Sequence, residues 1–234
     1  MIFELSNTTE FPDPRYGRKD GFYAVGGDLS PERLIKAYPM GIFPYFAFRQ
    51  KPIIWWFPHE RFVIFPDEIK ISHSMKPLLK RKTYTCTINE DFYGVIHGCA
   101  LADGRLEEDF AWLGPELIET WLKLNEMGHA KSVEVWDEED NLVGGLYGFV
   151  SGGCFIGDSM FSLKPNASKF ALIYLAKHMQ EHGGGLIDCQ LETSHLKSMG
   201  GKYISYEKYM EVMKRPSNIV WDTDNQQIKH TCLK

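Results

Sequence analysis

FIGDSMFSLKPNASKFALIYLAKHMQEHGGGLIDCQ, residues 155–190, changes its hydrophobic period twice. It opens as a short apolar strand and breaks at Gly157-Asp158-Ser159-Met160-Phe161-Ser162, so polar groups sit where the strand ends. After Pro165 a helix is predicted from Asn166-Ala167-Ser168-Lys169. Ala167, Phe170, Ala171, Tyr174, Leu175 and His178 follow three-four spacing and form its core-facing stripe. Gly183-Gly184-Gly185 stop the helix, and a second strand is predicted over Leu186-Ile187-Asp188-Cys189-Gln190.

Side chains alternate across a strand, so Asp188 and Gln190 are expected on one face, with Ile187 and Cys189 on the other. A carboxylate and an amide then share an otherwise apolar strand. Each costs roughly 1 to 3 kcal/mol if buried without a partner, and an unpaired charge costs more. Spacing alone leaves two readings open, a cap on a neighbouring loop or a functional pair.

Three linked segments distinguish the two. Phe155 to Ser162, Asn166 to Lys169 and Leu186 to Gln190 resemble the central motifs of the leucyl/phenylalanyl-tRNA-protein transferases. Further matches lie at Ala24 to Pro31, Gly41-Ile42-Phe43-Pro44, Ile54-Trp55-Trp56, Gly128 to Trp136 and Leu142 to Gly148. The resemblance spans about Gly21 to about Tyr209.

That resemblance implies an aminoacyltransferase moving Leu, Phe or Met from aminoacyl-tRNA to proteins that begin with Arg or Lys, which marks them for N-end-rule degradation. It implies an α+β fold: a small N-terminal lobe, residues 1–60, and a mixed-sheet catalytic domain, residues 61–234, similar to the GCN5-related acetyltransferase fold. Asp188 and Gln190 are the implied catalytic pair, Asp188 orienting Gln190 so that its amide oxygen accepts a hydrogen bond from the attacking amine. An amide oxygen is barely basic, so positioning is its task, with solvent or a second amine taking the proton.

Substrate binding is assigned to Asp158, Tyr45, Trp112, Phe155, Met160 and Phe170. Phe155, Met160 and Phe170 would form an apolar donor pocket, which separates large side chains poorly because one methylene is worth only about 1 to 3 kcal/mol. Tyr45 stands where the family usually has Trp, in an element implied to hold the terminal adenosine. Asp158 stands where it usually has Glu. The donor is already an activated ester, so no ATP, metal, cofactor or covalent nucleophile is required. Alignment, deprotonation and stabilisation of a tetrahedral intermediate remain.

Length and composition agree with a globular enzyme: 234 residues can bury a sizeable core, and 44% hydrophobic with 24% charged residues argues against disorder. No apolar run approaches the roughly 18 residues of a membrane span, and the N-terminus lacks a secretory pattern. Five widely spaced cysteines, Cys86, Cys99, Cys154, Cys189 and Cys232, never form a Cys-x-x-Cys pair. A cytoplasmic monomer without disulfides or structural zinc is expected, with Cys154 and Cys189 as inert buried thiols.

The net charge of -5 conceals segregation. Six Lys/Arg face Asp67 and Glu68 between Arg61 and Lys82, and Lys76, Lys80, Arg81 and Lys82 are the predicted grip on the tRNA backbone. Between Asp103 and Asp140 twelve acids face Arg105, Lys123 and Lys131, a patch suited to a cationic peptide end. Solvated faces are the plain alternative for both.

Residues 1–20 read as irregular. Ser30 caps a helix starting at Pro31, and prolines chop the aromatic stretch Phe43 to Phe57 into extended pieces. Strands are predicted near Phe62 to Phe65, Tyr84 to Ile88, Ser132 to Trp136, Leu142 to Val150 and Tyr203 to Ser205. Helices are predicted near Met75 to Lys80, Asp91 to Cys99, Pro115 to Gly128, His195 to Met199 and Tyr206 to Met213. Ala102 to Asp109 reads as an acidic loop and the tail after Pro216 as mobile. His195 reads as a packing residue.

Two rivals remain. Gln180-Glu181-His182-Gly183-Gly184-Gly185 spells the phosphate loop of an acyl-CoA-dependent N-acetyltransferase. That loop needs a helix N-terminus after the glycines, whereas here they follow a helix, as a C-terminal stop does. The other rival is a non-catalytic module that binds a tRNA end or a degron.

Overall fold

The computed structural model describes residues 1–102, 107, 109 and 111–221. Near the N-terminus, β1 (Phe3–Leu5), β2 (Phe22–Gly26), β3 (Phe43–Pro44) and β4 (Ile54–Trp56) make a four-stranded sheet in the order β1-β2-β4-β3. Two of these strands, β1 and β2, fall in stretches that carry no clear strand pattern. Both are short, and they are held by fully buried Tyr23 and Trp55 rather than by local propensity. Between β2 and β3 runs α1 (Pro31–Ala37), with Ser30 Oγ accepting the Arg33 N–H at 3.4 Å and Pro31 at the first helical position, as the sequence predicts.

The chain then enters a seven-stranded mixed sheet. In chain order its parts are β5 (Glu60–Ile64), α2 (Met75–Lys80), β6 (Thr85–Ile88), α3 (Phe92–Leu101), α4 (Pro115–Glu126), β7 (Ala130–Trp136), β8 (Leu142–Ser151), β9 (Cys154–Ser162), α5 (Ala167–Glu181), β10 (Leu186–Asp188), α6 (Ser194–Ser198), β11 (Lys202–Ser205) and α7 (Tyr206–Met213). Spatial order is β11-β5-β10-β9-β8-β7-β6. The parallel pair, β9 with β10, is joined by the crossover through α5, as a parallel connection requires. The remaining neighbours in this sheet are antiparallel.

Period-2 alternation sends neighbouring residues to opposite layers. Leu146, Phe155 and Ile187 pack under α5 and α2. Tyr147, Ile156 and Leu186 pack on the other side with α3, α4, α7 and the small sheet. Both layers are continuous cores, so the large sheet is the middle of three layers.

Three expectations change here. Gly157 does not end the first strand of residues 155–190: β9 runs on to Ser162 by admitting a bulge, and β10 stops at Asp188, two residues early. The described part of the tail is packed rather than loose, since His178 Nε2 lies 2.8 Å from the Val220 carbonyl and Trp221 packs on Phe155 and His178. The rest of that tail, and most of the predicted acidic loop, lie outside the described residues. The glycines after α5 are a helix stop, with Gly183 at φ 75°, and they lead into a strand.

Candidate active site

The β9 bulge opposes two residues to one. Tyr147 of β8 pairs with Ser159 and Gly148 pairs with Gly157, so Asp158 is the extra residue. Its carboxylate turns to the layer that holds Tyr38 and Tyr147. Tyr38, just after α1, donates its hydroxyl to Oδ1 at 2.7 Å, and Tyr147 donates to Oδ2 at 3.2 Å. Burial pushes Asp158 up to about 6 against these hydrogen bonds, and burial likewise raises both phenols.

Asp188 lies at 0% exposure, where a charge is costly unless it finds a partner. Arg61 supplies it from the adjacent antiparallel strand β5, two residues from Val63, the residue opposite Asp188. Arg61 is also at 0% exposure. Its Nη2 pairs with Asp188 Oδ2, its Nη1 donates to the Gly41 carbonyl at 2.9 Å, and its guanidinium carbon lies 5.0 Å from the centre of the Tyr209 ring. Arg61 therefore leaves the basic stretch in which the sequence reading counted it. Glu134 leaves the acidic one, being buried at 0% exposure with Thr87 donating to it at 2.6 Å.

The other oxygen of Asp188, Oδ1, accepts the backbone N–H of Gln190 at 2.9 Å. Gln190 has φ 58°, in the left-handed region, so it is not the next same-face residue of a strand, as alternation predicts. It sits in a turn that Asp188 holds, and its Nε2 donates to Asp158 Oδ1 at 3.1 Å. Because that partner can only accept, Nε2 is fixed on the Asp158 side and Oε1 is turned away from it.

Pairing of β9 with β10 ends at Ile156 and Asp188, and a cavity of about 420 Å³ opens just beyond. Asp158, Asp188 and Gln190 line it together with the apolar Leu146, Phe155, Met160 and Ile187. Tyr45, 48% exposed, and Trp112 also line it, their rings tilted 6.3 Å apart. The structure thus brings Asp158, Asp188, Gln190, Tyr45, Trp112, Phe155 and Met160 to one cavity.

Phe170 does not join them. Its ring packs edge-on to Tyr84 at 5.0 Å in the core under the sheet, because the helix stripe that carries it faces inward. Lys76, Lys80, Arg81 and Lys82 are exposed on α2 and the turn after it and do not line the cavity. His195 does line it, and its Nε2 is buried with no hydrogen-bond partner among the described residues. Burial raises both thiols, Cys154 to about 12 and Cys189 further, so neither is a nucleophile near neutral pH.

Sequence reasoning missed Arg61, Tyr38 and Tyr147. For Arg61 a signal exists, an arginine heading the apolar run Phe62-Val63-Ile64-Phe65. For the two tyrosines none does, since only the fold brings them to Asp158.

Comparison with known proteins agrees along the chain. A family model described as "Leucyl/phenylalanyl-tRNA protein transferase" matches residues 63–214, and one for the N-terminal domain of the same family matches residues 27–59. Curated relatives named leucyl/phenylalanyl-tRNA--protein transferase include one from Syntrophus aciditrophicus, 45% identical over 92% of this chain and 88% of its own. Another, from Desulfotalea psychrophila, is 46% identical over 90% of this chain and 91% of its own. Among solved structures, L-PGS from Bacillus licheniformis aligns with TM-score 0.41 and 17% identity over 75% of this chain and 55% of that one.

Proposed function

This chain belongs to the leucyl/phenylalanyl-tRNA protein transferase family, and on that footing we propose that it moves Leu, Phe or Met from aminoacyl-tRNA to the terminal amine of proteins beginning with Arg or Lys. The observation that carries the reading is Gln190, fixed from two sides, its N–H on Asp188 and its Nε2 on Asp158, in the wall of a mostly apolar cavity.

A fixed amide oxygen is what aligning an amine against an ester carbonyl requires. Asp188 serves as the positioning residue for Gln190, and Arg61 holds Asp188 in place. The walls at Leu146, Phe155, Met160 and Ile187 suit an apolar donor side chain, and they favour no one of the three donors by more than a methylene or two. Tyr45 and Trp112 offer ring faces for the terminal base. Asp158 meets the cationic acceptor terminus.

In this reading residues 1–60 act as a small N-terminal domain and residues 61–234 as the catalytic domain, in a cytoplasmic monomer, with Lys76, Lys80, Arg81 and Lys82 on the tRNA backbone. The glycines that follow α5 face a strand rather than a helix N-terminus, which speaks against acyl-CoA as donor.

Incubation with radiolabelled leucyl-tRNA and a peptide beginning with Arg tests the reading: label should enter the peptide, and the Asp188→Ala, Gln190→Ala double variant should lose most of the rate. RNA retention without transfer would mark a binding module, and transfer from acetyl-CoA would mark an acetyltransferase.

A further inference from the structure

We propose that Asp158 is the proton acceptor for the attacking amine, seated for that task by the β9 bulge and the hydroxyls of Tyr38 and Tyr147. The proposal rests on the aminoacyl-transfer reading above and supplies the base that reading lacks.

A carboxylate offers about four acceptor sites. Tyr38, Gln190 and Tyr147 take three, two on Oδ1 and one on Oδ2, so Oδ2 keeps one. Gln190 bonds directly to this carboxylate, which puts the amine-aligning amide and the acceptor side by side in the cavity wall. Asp188 cannot serve, because its carboxylate lies at 0% exposure and is ion-paired to the equally buried Arg61.

The groups that face Asp158 are the phenols of Tyr38 and Tyr147 and the amide of Gln190, with Asp188 and Arg61 as a closed pair nearby and Cys99 behind Tyr147. No cation pairs with Asp158 among the described residues, and burial lifts it to about 6. That lies within about two units of a free α-amine, whereas an ordinary carboxylate is far weaker.

Atoms and charge are conserved in the step. One N–H bond of the terminal ammonium breaks and its proton goes to Oδ2. The freed lone pair forms the C–N bond to the ester carbonyl. On collapse the C–O bond to the ribose breaks, and a second proton passes from nitrogen to the departing ribose oxygen. Asp158 then releases its proton to solvent, leaving one amide, one ribose hydroxyl and one free proton.

Single-turnover transfer from leucyl-tRNA at pH 7 tests this with two acceptor peptides, one with an ordinary terminal amine and one with an aminooxy terminus, already unprotonated at that pH. Asp158→Asn should slow the ordinary acceptor by roughly 100-fold or more and the aminooxy acceptor by less than about tenfold. Equal slowing of both, or no slowing, overturns the proposal.

The same holds if the acceptor-dependent loss appears in His195→Gln and not in Asp158→Asn. A second variant, Tyr38→Phe, removes a donor from the carboxylate, so the acid limb of the rate profile should move to higher pH. An unmoved limb also counts against the proposal. If the unaltered protein transfers to neither acceptor, the aminoacyl-transfer reading itself has failed.

Discussion

Arg61 and Asp188 close on each other across adjacent antiparallel strands, with both side chains at 0% exposure. A buried pair is hard to break from one side, since removing one partner leaves the other charge unpaired, at about 3–5 kcal/mol. Arg61→Ala should lose about that much in urea unfolding. The double replacement Arg61→Met, Asp188→Leu should recover most of the stability, because two apolar groups leave no stranded charge. It should not recover transfer, since the Gln190 N–H loses its acceptor. Recovery of activity along with stability would separate Asp188 from the placement of Gln190.

Asp158 carries a stability cost at working pH. Burial raises its folded pKa from 3.8 to about 6, so the unfolded chain sheds that proton first as pH rises. Stability is therefore highest, as far as this group is concerned, below about pH 4, falls between pH 4 and 6, and levels off above. Asp158→Asn removes the charge but keeps one oxygen to accept from Tyr38 and Gln190, while its Nδ2 can donate to the Tyr147 hydroxyl. It should raise the melting temperature at pH 7.5, by an amount on the order of 1–3 kcal/mol in ΔG, and the gain should vanish near pH 4. A constant difference across that window would mean that the carboxylate is not the titrating group.

What the sequence made legible follows from where each signal lives. The strip from Phe155 to Gln190 showed strand, helix, glycine stop and strand because hydrophobic period and turn residues are local. Its two errors came from single-residue events that alternation cannot register: an extra residue in β9, which re-aims Asp158, and a left-handed residue at Gln190. Phe170 was assigned to the pocket on proximity in sequence, although its place in the helix stripe already pointed to the core. Arg61 was counted as surface charge because composition cannot see burial. Tyr38 and Tyr147 were invisible, since their role exists only once α1, β8 and β9 have met.

The exposed quartet on and after α2 makes a separate prediction. Every phosphate left without its cation should flatten the log–log salt dependence of RNA binding by roughly 0.7–0.9. Changing Lys80, Arg81 and Lys82 together to Ala should weaken tRNA binding and reduce that slope by about two to three units. Transfer at saturating aminoacyl-tRNA should persist, because none of the three lines the cavity. A fluorescence titration at several salt concentrations reads both effects, and an unchanged slope would place the RNA elsewhere on the protein.

Gly148 bears most directly on the bulge. It pairs with Gly157 next to Asp158, and a Cβ built on it would meet the Ile156 carbonyl oxygen at 2.2 Å and the Phe155 ring at 2.7 Å. Backbone cannot yield as a side-chain tip can, so Gly148→Ala must push β8 and β9 apart where Asp158 is presented. Overpacking of this kind costs about 1–3 kcal/mol, and the fold should survive it. Its partner is the control: a Cβ on Gly157 meets nothing closer than 3.5 Å, so Gly157→Ala should stay within about 0.5 kcal/mol of the parent. Urea unfolding of the two variants beside the transfer assay separates the outcomes. Gly148→Ala should lose transfer while still folded, because Asp158 no longer reaches Tyr38, Tyr147 and Gln190 together; retained transfer would mean that the bulge does not set the position of the carboxylate.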